Sequence, residues 1–354
     1  MKKDIKSLVR PSIETLLPYS SARDEYTGEK ALFLDANENP FNAPYNRYPD
    51  PRQVSLKEKI GRLKDIDAAK LFVGNGSDEA IDLLFRVFCE PAKDNVVSMY
   101  PTYGMYEVCA DINNVEFRKV MLKEDFSIDQ QAMIEACDEH TKLLFLCSPN
   151  NPTSNSIDPE VILSLLKNLN VIVVLDEAYI DFSTRESLKA QVARHPNLVV
   201  LQTFSKAWGL AGIRLGIAIA DPQLIYYMNK VKYPYNLNML TINFALQALE
   251  EEHKVKSWVQ TILAERSRME KKLKKYRFVE RVFPSDANFL LVQVRKPKKV
   301  YTYLVEKKII VRDRSNVSLC EGSLRITTGT QEENDRLMDA LMQYQRDFVD
   351  SCEL

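Results

Sequence analysis

The chain has 354 residues, enough for more than one hydrophobic core, and its 45% apolar and 27% charged content is ordinary for a soluble globular protein. Lysine plus arginine is 48 and aspartate plus glutamate is 49, a balance that argues against nucleic acid or an anionic membrane as a main partner. No apolar run approaches the roughly 20 residues of a spanning helix, the Met1-Lys2-Lys3-Asp4 start lacks an apolar signal core, and six scattered cysteines with three histidines form no zinc spacing. Cys89, Cys109 and Cys147 sit in apolar stretches and read as small core residues, which suits a reducing cytoplasm.

In chain order, residues 1 to about 27 form an arm with Pro11, Pro18 and little periodicity. Phe72-Val73-Gly74-Asn75-Gly76-Ser77-Asp78-Glu79 then leads into Ile81, Leu84, Phe85 and Phe88, apolar positions on one helix face. Gly76 and Ser77 would lie at a helix N-terminus, where free N–H groups and the dipole attract a phosphate. An ordinary capped helix has the same pattern. Between about 70 and 220, apolar runs at 96–99, 143–146, 171–175, 198–201 and 215–219 alternate with helical patterns. Such continuous apolar runs predict strands buried on both faces, in a mostly parallel sheet flanked by helices.

The residues after those runs carry the chemistry. Run 143–146 enters the turn Ser148-Pro149-Asn150-Asn151-Pro152-Thr153, run 171–175 ends in Asp176 with Tyr179 just beyond, and run 198–201 leads to Ser205-Lys206, with Arg214 eight positions on. Alone, each has a plain alternative: a turn initiator, a helix cap, a solvated surface pair. Together they follow strand ends, where ligands of open α/β sheets lie. A lysine there can have its pKa lowered and act as an amine nucleophile. A lysine, an aspartate and a phosphate grip made by Ser205 and Arg214 are what pyridoxal phosphate needs. Lys206 bonds its aldehyde, Asp176 keeps its pyridine nitrogen protonated, and Asn151 is placed to hydrogen-bond its phenolic oxygen.

After about 240 the pattern changes. Residues 241–275 read as long charged helices, and 288–294, 309–312 and 324–327 as strands. Thr330 with Glu333 makes a capping box, opening a helix expected to bury Leu337, Leu341, Tyr344 and Phe348. This predicts a second, smaller α+β domain.

These motifs resemble those of the histidinol-phosphate aminotransferase family, within the fold-type I pyridoxal-phosphate aminotransferases. The resemblance spans nearly the whole chain. It includes Leu8-Val9-Arg10-Pro11, Asn37-Glu38-Asn39-Pro40, Arg47-Tyr48-Pro49-Asp50, Gly74-Asn75-Gly76-Ser77-Asp78-Glu79, Ser148 to Thr153, Asp176-Glu177-Ala178-Tyr179, Ser205-Lys206-Ala207 and Leu324-Arg325-Ile326-Thr327. It implies an N-terminal arm (1–27), a large cofactor-binding domain (48–240) and a small domain (28–47 and 241–354). It also implies a homodimer in which Tyr48 reaches the cofactor phosphate in the other subunit's site. Tyr179 is expected to join Asn151 on the phenolic oxygen, Tyr103 to stack on the cofactor ring, and Gly76, Ser77 and Asp78 to border the cofactor. Packing in the core is the alternative reading for both Tyr103 and Tyr179. Two departures concern loop geometry: Ser154 stands where the family has glycine, and Pro40-Phe41-Asn42-Ala43-Pro44 replaces a Pro-x-Gly-Pro run.

The implied reaction moves an amino group between L-histidinol phosphate and 2-oxoglutarate in histidine biosynthesis, giving imidazole acetol phosphate and glutamate. One donor carries a phosphate and the other an α-carboxylate, so one anion grip must serve both. Arginine suits this, because its planar fork pairs bidentately with either group. Arg325 and Arg312 are the candidates, with Tyr19 and Asn37 as further substrate contacts; a surface ion pair with Asp313 is the alternative for Arg312. Competing readings are an aromatic amino acid aminotransferase, a threonine-phosphate decarboxylase, or a regulatory module that binds the cofactor without turnover.

Overall fold

The computed structural model describes residues 4–26 and 31–350; the Met1–Lys3 start and Cys352 lie outside the described residues. The strands are β1 (Leu71–Asn75), β2 (Asn95–Tyr100), β3 (Glu116–Met121), β4 (Thr141–Cys147), β5 (Ile172–Asp176), β6 (Leu198–Thr203), β7 (Leu215–Ala220), β8 (Val279–Val282), β9 (Phe289–Val294), β10 (Arg312–Asp313) and β11 (Ser323–Thr327). The α-helices are α1 (Pro11–Thr15), α2 (Ala22–Glu25), α3 (Val54–Lys64), α4 (Gly76–Phe88), α5 (Met105–Ile112), α6 (Gln130–Glu135), α7 (Pro159–Asn168), α8 (Pro222–Val231), α9 (Met239–Ala248), α10 (Glu252–Leu273), α11 (Pro297–Glu306) and α12 (Gln331–Phe348).

Seven strands form one sheet in the order β1-β7-β6-β5-β4-β2-β3. Strands β2 to β6 are parallel neighbours, and β7 runs antiparallel between β6 and β1. The side chains of each central strand divide between two cores, as the two-residue period of a strand requires. Phe145, Val174 and Leu201 pack on one face with α4, α5 and α8. Leu146, Leu175 and Val200 pack on the other with α3, α7 and α9. Helices therefore cover both faces, as the apolar runs predict.

Helix α4 follows directly from its sequence. Ile81, Leu84, Phe85 and Phe88 are fully buried, and each such burial stabilises by about 1.5–3 kcal/mol. Gly216 of β7 lets the strand pass close under the helix start, because a Cβ there would lie 2.1 Å from the Ser77 nitrogen.

The second sheet is antiparallel, in the order β10-β11-β9-β8. It packs against α11, α12 and the end of α10 through Leu273, Leu290, Val292, Leu304, Leu324 and Leu341. The Thr330–Glu333 capping box is formed in both directions.

Four expectations change. Strands β1 and β3 are absent from the predicted runs, because β1 holds Gly74 and β3 is a charged edge strand with only Val120 buried. The run 309–312 is a strand only at Arg312–Asp313, and Ile310 is exposed, since it leaves α11 through the left-handed Lys308. Phe348 lies at the end of α12 and is 37% exposed, edge-on to Tyr303. The arm is docked at its start: Ile5, Leu8 and Val9 are buried in the α4–α8 core, and Arg10 N–H donates to the Val87 carbonyl at 3.0 Å.

Candidate active site

Because β1, β2, β4, β5 and β6 run the same way, their carboxyl ends share one edge of the sheet. Chain segments leaving that edge enclose a cavity of about 790 Å3. Gly76, Ser77 and Asp78 reach it from the start of α4, Tyr103 from the turn after β2, and Asn151 from the turn after β4. Asp176 and Tyr179 come from the end of β5, Ser205 and Lys206 from the end of β6, and Arg214 from just before β7. The second sheet closes the opposite wall with Arg312, Arg314 and Arg325.

Asp176 forms the floor. It is 3% exposed; its Oδ2 accepts from the Tyr106 hydroxyl at 2.7 Å and its Oδ1 from the Ala178 N–H at 2.9 Å. Burial raises its pKa above the usual carboxylate value, although Tyr106, Ala178 and Lys206 each pull it down. Tyr106 is itself fully buried, stacked on Phe145 with ring centroids 4.7 Å apart. Burial and the neighbouring carboxylate push its phenol far up, so it stays a donor.

Lys206 opens into the cavity with its Nζ 5.6 Å from the Tyr179 ring centre. Its pKa is lowered, first by desolvation and then by Arg325, which raises the fraction of free amine near neutral pH. Tyr179 is 8% exposed and edge-on to Phe289, and its phenol is raised mainly by burial. Arg325 donates to Asn151 Oδ1 and lies over the Phe289 ring at 5.3 Å.

At the α4 start, Asp78 accepts from the Tyr103 hydroxyl at 3.1 Å and from Arg214 Nη2 at 3.3 Å. Gly76 has φ +73°, and a Cβ there would come within 2.7 Å of Arg214 Nη2. Glycine takes this backbone turn at no steric cost and leaves room for the guanidinium. Ser154, in the turn after β4, takes φ +64° without being glycine, its hydroxyl lying within hydrogen-bond distance of the Thr153 carbonyl at 2.6 Å and the Pro284 carbonyl at 3.1 Å. The loop geometry that glycine would permit is thus held here by serine.

Three expected site residues lie elsewhere in the chain's own structure. Tyr19 is 73% exposed in the arm. Asn37 and Tyr48 line a separate hollow of about 590 Å3, where Tyr48 stacks on Tyr235 at 4.4 Å. Glu38 ties this region to the arm: buried, it accepts from Arg23 Nη2, Arg47 Nη1 and the Tyr48 N–H. Burial alone would raise its pKa, but the Tyr48 N–H and the two arginines outweigh that and lower it.

Two residues escape the sequence reading, one beneath the cavity and one on its wall. Tyr106 looks like any core aromatic on an amphipathic helix, three positions after Tyr103. Arg314 sits among Arg312, Asp313 and Ser315, where an arginine looks like surface charge. The ion pair weighed for Arg312 does not form: Asp313 Oδ1 accepts from the Ser315 N–H at 2.8 Å, and no carboxylate bridges Arg312 or Arg314 among the described residues.

The model of the aminotransferase class I and II family matches residues 32–341. A histidinol-phosphate aminotransferase of Parabacteroides distasonis is 57% identical over 339 residues, covering 96% of this chain and 98% of that protein. Its Bacteroides fragilis counterpart is 51% identical over 344 residues, covering 97% and 100%. The structure of histidinol-phosphate aminotransferase from Sinorhizobium meliloti in complex with pyridoxal-5'-phosphate superposes with a TM-score of 0.79 at 24% identity, over 89% of this chain and 90% of that one. The chain belongs to the aminotransferase class I and II family and, within it, to the histidinol-phosphate aminotransferases.

Proposed function

We propose that this protein is a homodimeric, pyridoxal-phosphate-dependent transaminase that moves the amino group between L-histidinol phosphate and 2-oxoglutarate in histidine biosynthesis. The observation that carries the reading is one cavity with a desolvated lysine and a buried carboxylate on one side and, on the other, arginines without acid partners among the described residues. The residues fit the cofactor. Asp176 is a buried acid with no cation in ion-pair contact among the described residues, which suits a protonated pyridine nitrogen. The start of α4, Ser205 and Arg214 make a phosphate cradle of N–H, hydroxyl and guanidinium donors. Tyr48 of the partner subunit would add a hydroxyl to it.

When bound, the cofactor supplies an aldehyde that takes up the amine and a ring that withdraws the electron pair left at the substrate Cα. The protein supplies the rest. Asp176 would hold the ring nitrogen's proton by its charge, with Tyr106 donating to Asp176. Asn151 and Tyr179 would donate to the phenolic oxygen. The Lys206 amine would take the proton from the substrate Cα and deliver it to the former aldehyde carbon on the other side of the substrate nitrogen, as general base and then acid. Arg325 and Arg312 would orient the substrate by its anion, phosphate in one half-reaction and carboxylate in the other.

The test is direct. Purified protein with 2-oxoglutarate is offered histidinol phosphate, phenylalanine, tyrosine and threonine phosphate, and glutamate and CO2 are followed separately. Glutamate formed fastest from histidinol phosphate supports the reading. CO2 from threonine phosphate, or preference for an aromatic donor, would replace it.

A further inference from the structure

The arginine wall contains one more guanidinium than the substrate logic requires. Arg312 pairs directly opposite Arg325 across the β10–β11 ladder. The Arg314 N–H donates to the Ser323 carbonyl at 2.9 Å, which carries the same register two residues further. Strand side chains alternate with a period of two. Arg312, Arg314 and Arg325 therefore leave one face together, and all three border the cavity.

This arrangement is unfavourable by itself. Like charges directly opposite destabilise a sheet. No carboxylate bridges Arg312 or Arg314 among the described residues. The Arg314 Nε and the Ser323 Oγ facing it are buried without a hydrogen-bond partner. Burial, then Arg325 and Arg312, disfavour the Arg314 charge. Three converging cations with donors to spare fit a multiply charged anion. A carboxylate has two oxygens, which one bidentate fork satisfies. A phosphate monoester offers three free oxygens and close to two charges near neutral pH.

We propose that Arg314 is a substrate-binding residue that reads the phosphate monoester of the amine donor and is dispensable for the carboxylate of glutamate. This rests on the histidinol-phosphate reading and names the group that separates its two half-reactions.

The holoenzyme is assayed in single half-reactions with histidinol phosphate and with glutamate, as wild type, Arg314→Gln and Arg314→Lys. Inorganic phosphate is titrated as an inhibitor of the glutamate half-reaction. Arg314→Gln should lose about tenfold or more in kcat/KM for histidinol phosphate and less than about threefold for glutamate, as expected for one lost charge-assisted contact. The inhibition constant for phosphate should rise by a similar factor. Arg314→Lys, which keeps the charge but not the fork, should fall between, and it carries the test if the glutamine variant does not fold. Equal losses for both substrates, or unchanged phosphate inhibition, overturn the proposal. A wild type that ignores histidinol phosphate overturns the functional reading instead, while the phosphate titration still decides Arg314.

Discussion

Tyr106→Phe isolates the support beneath Asp176. The substitution removes one hydroxyl and keeps the ring, so the stacking on Phe145 at 4.7 Å and the edge contact with Tyr103 at 5.6 Å survive. What is lost is the 2.7 Å hydrogen bond to a carboxylate 3% exposed. Hydrogen bonds to charged groups contribute about 1.5–3 kcal/mol, so the apoprotein should lose about 2 kcal/mol once Asp176 is ionised. The pH dependence follows from the sign of the Asp176 shift. Its folded pKa is raised by burial, so ionising it opposes folding. That contribution to stability is fully present below the unfolded carboxylate value and is lost as pH rises through the folded pKa. Removing the Tyr106 donor raises the folded pKa further. The deficit of the variant should therefore be small in acid and grow to its full size as pH passes the folded Asp176 pKa. Urea unfolding of wild type and variant, at one fixed protein concentration over a pH series, measures it. A deficit independent of pH would mean that Tyr106 acts by packing, and no deficit would mean that the bond contributes nothing.

Lys206→Ala should abolish turnover and the visible absorbance of lysine-bound cofactor; borohydride that still fixes cofactor to the variant chain would disprove the assignment. Asp176→Asn should keep much of the cofactor affinity and lose most of the rate, because an amide does not stabilise a positive ring nitrogen; near-normal turnover would reduce Asp176 to a structural cap. Arg325→Ala should weaken both substrates by about 1.5–3 kcal/mol, roughly ten- to a hundred-fold in kcat/KM, while Arg312→Ala should weaken histidinol phosphate more than glutamate. Half-reaction kinetics separate those two outcomes. If Tyr48 acts in the other subunit, mixing Tyr48→Phe with Lys206→Ala chains should give hybrid dimers with one intact site and one doubly defective site. A fully active monomer in sedimentation would end that account.

The parts of the fold legible in the sequence are those where burial is complete. Strands β4, β5 and β6 are covered on both faces, so they appear as unbroken apolar runs, and the polar residue ending each run marks the edge of the sheet. Asp176 and Lys206 are found that way. The edge strand β3 has one buried residue, and its Glu116, Arg118 and Lys119 conceal it. Arg314 is hidden for another reason. Its place depends on a two-residue strand pairing with a segment ten positions away, and no local pattern records that register. Tyr106 shows the limit of periodicity: a helix face predicts burial, but not which buried hydroxyl meets an acid. Asn37 and Tyr48 are recognisable by their motifs, yet within one chain they face a different hollow from Lys206.

The double covering of the central strands also bears on how this protein can change over generations. Phe145, Val174 and Val200 each answer to one of two packed cores and never to a ligand. Variation inside those strands is screened for fit alone. A new substrate preference must therefore arise past the strand ends or on the facing wall of the second sheet, where side chains border the cavity. Lys206 and Asp176 stand at the ends of strands fixed by that packing, while Arg312, Arg314 and Arg325 stand on the facing wall, where side chains can change without disturbing the strands.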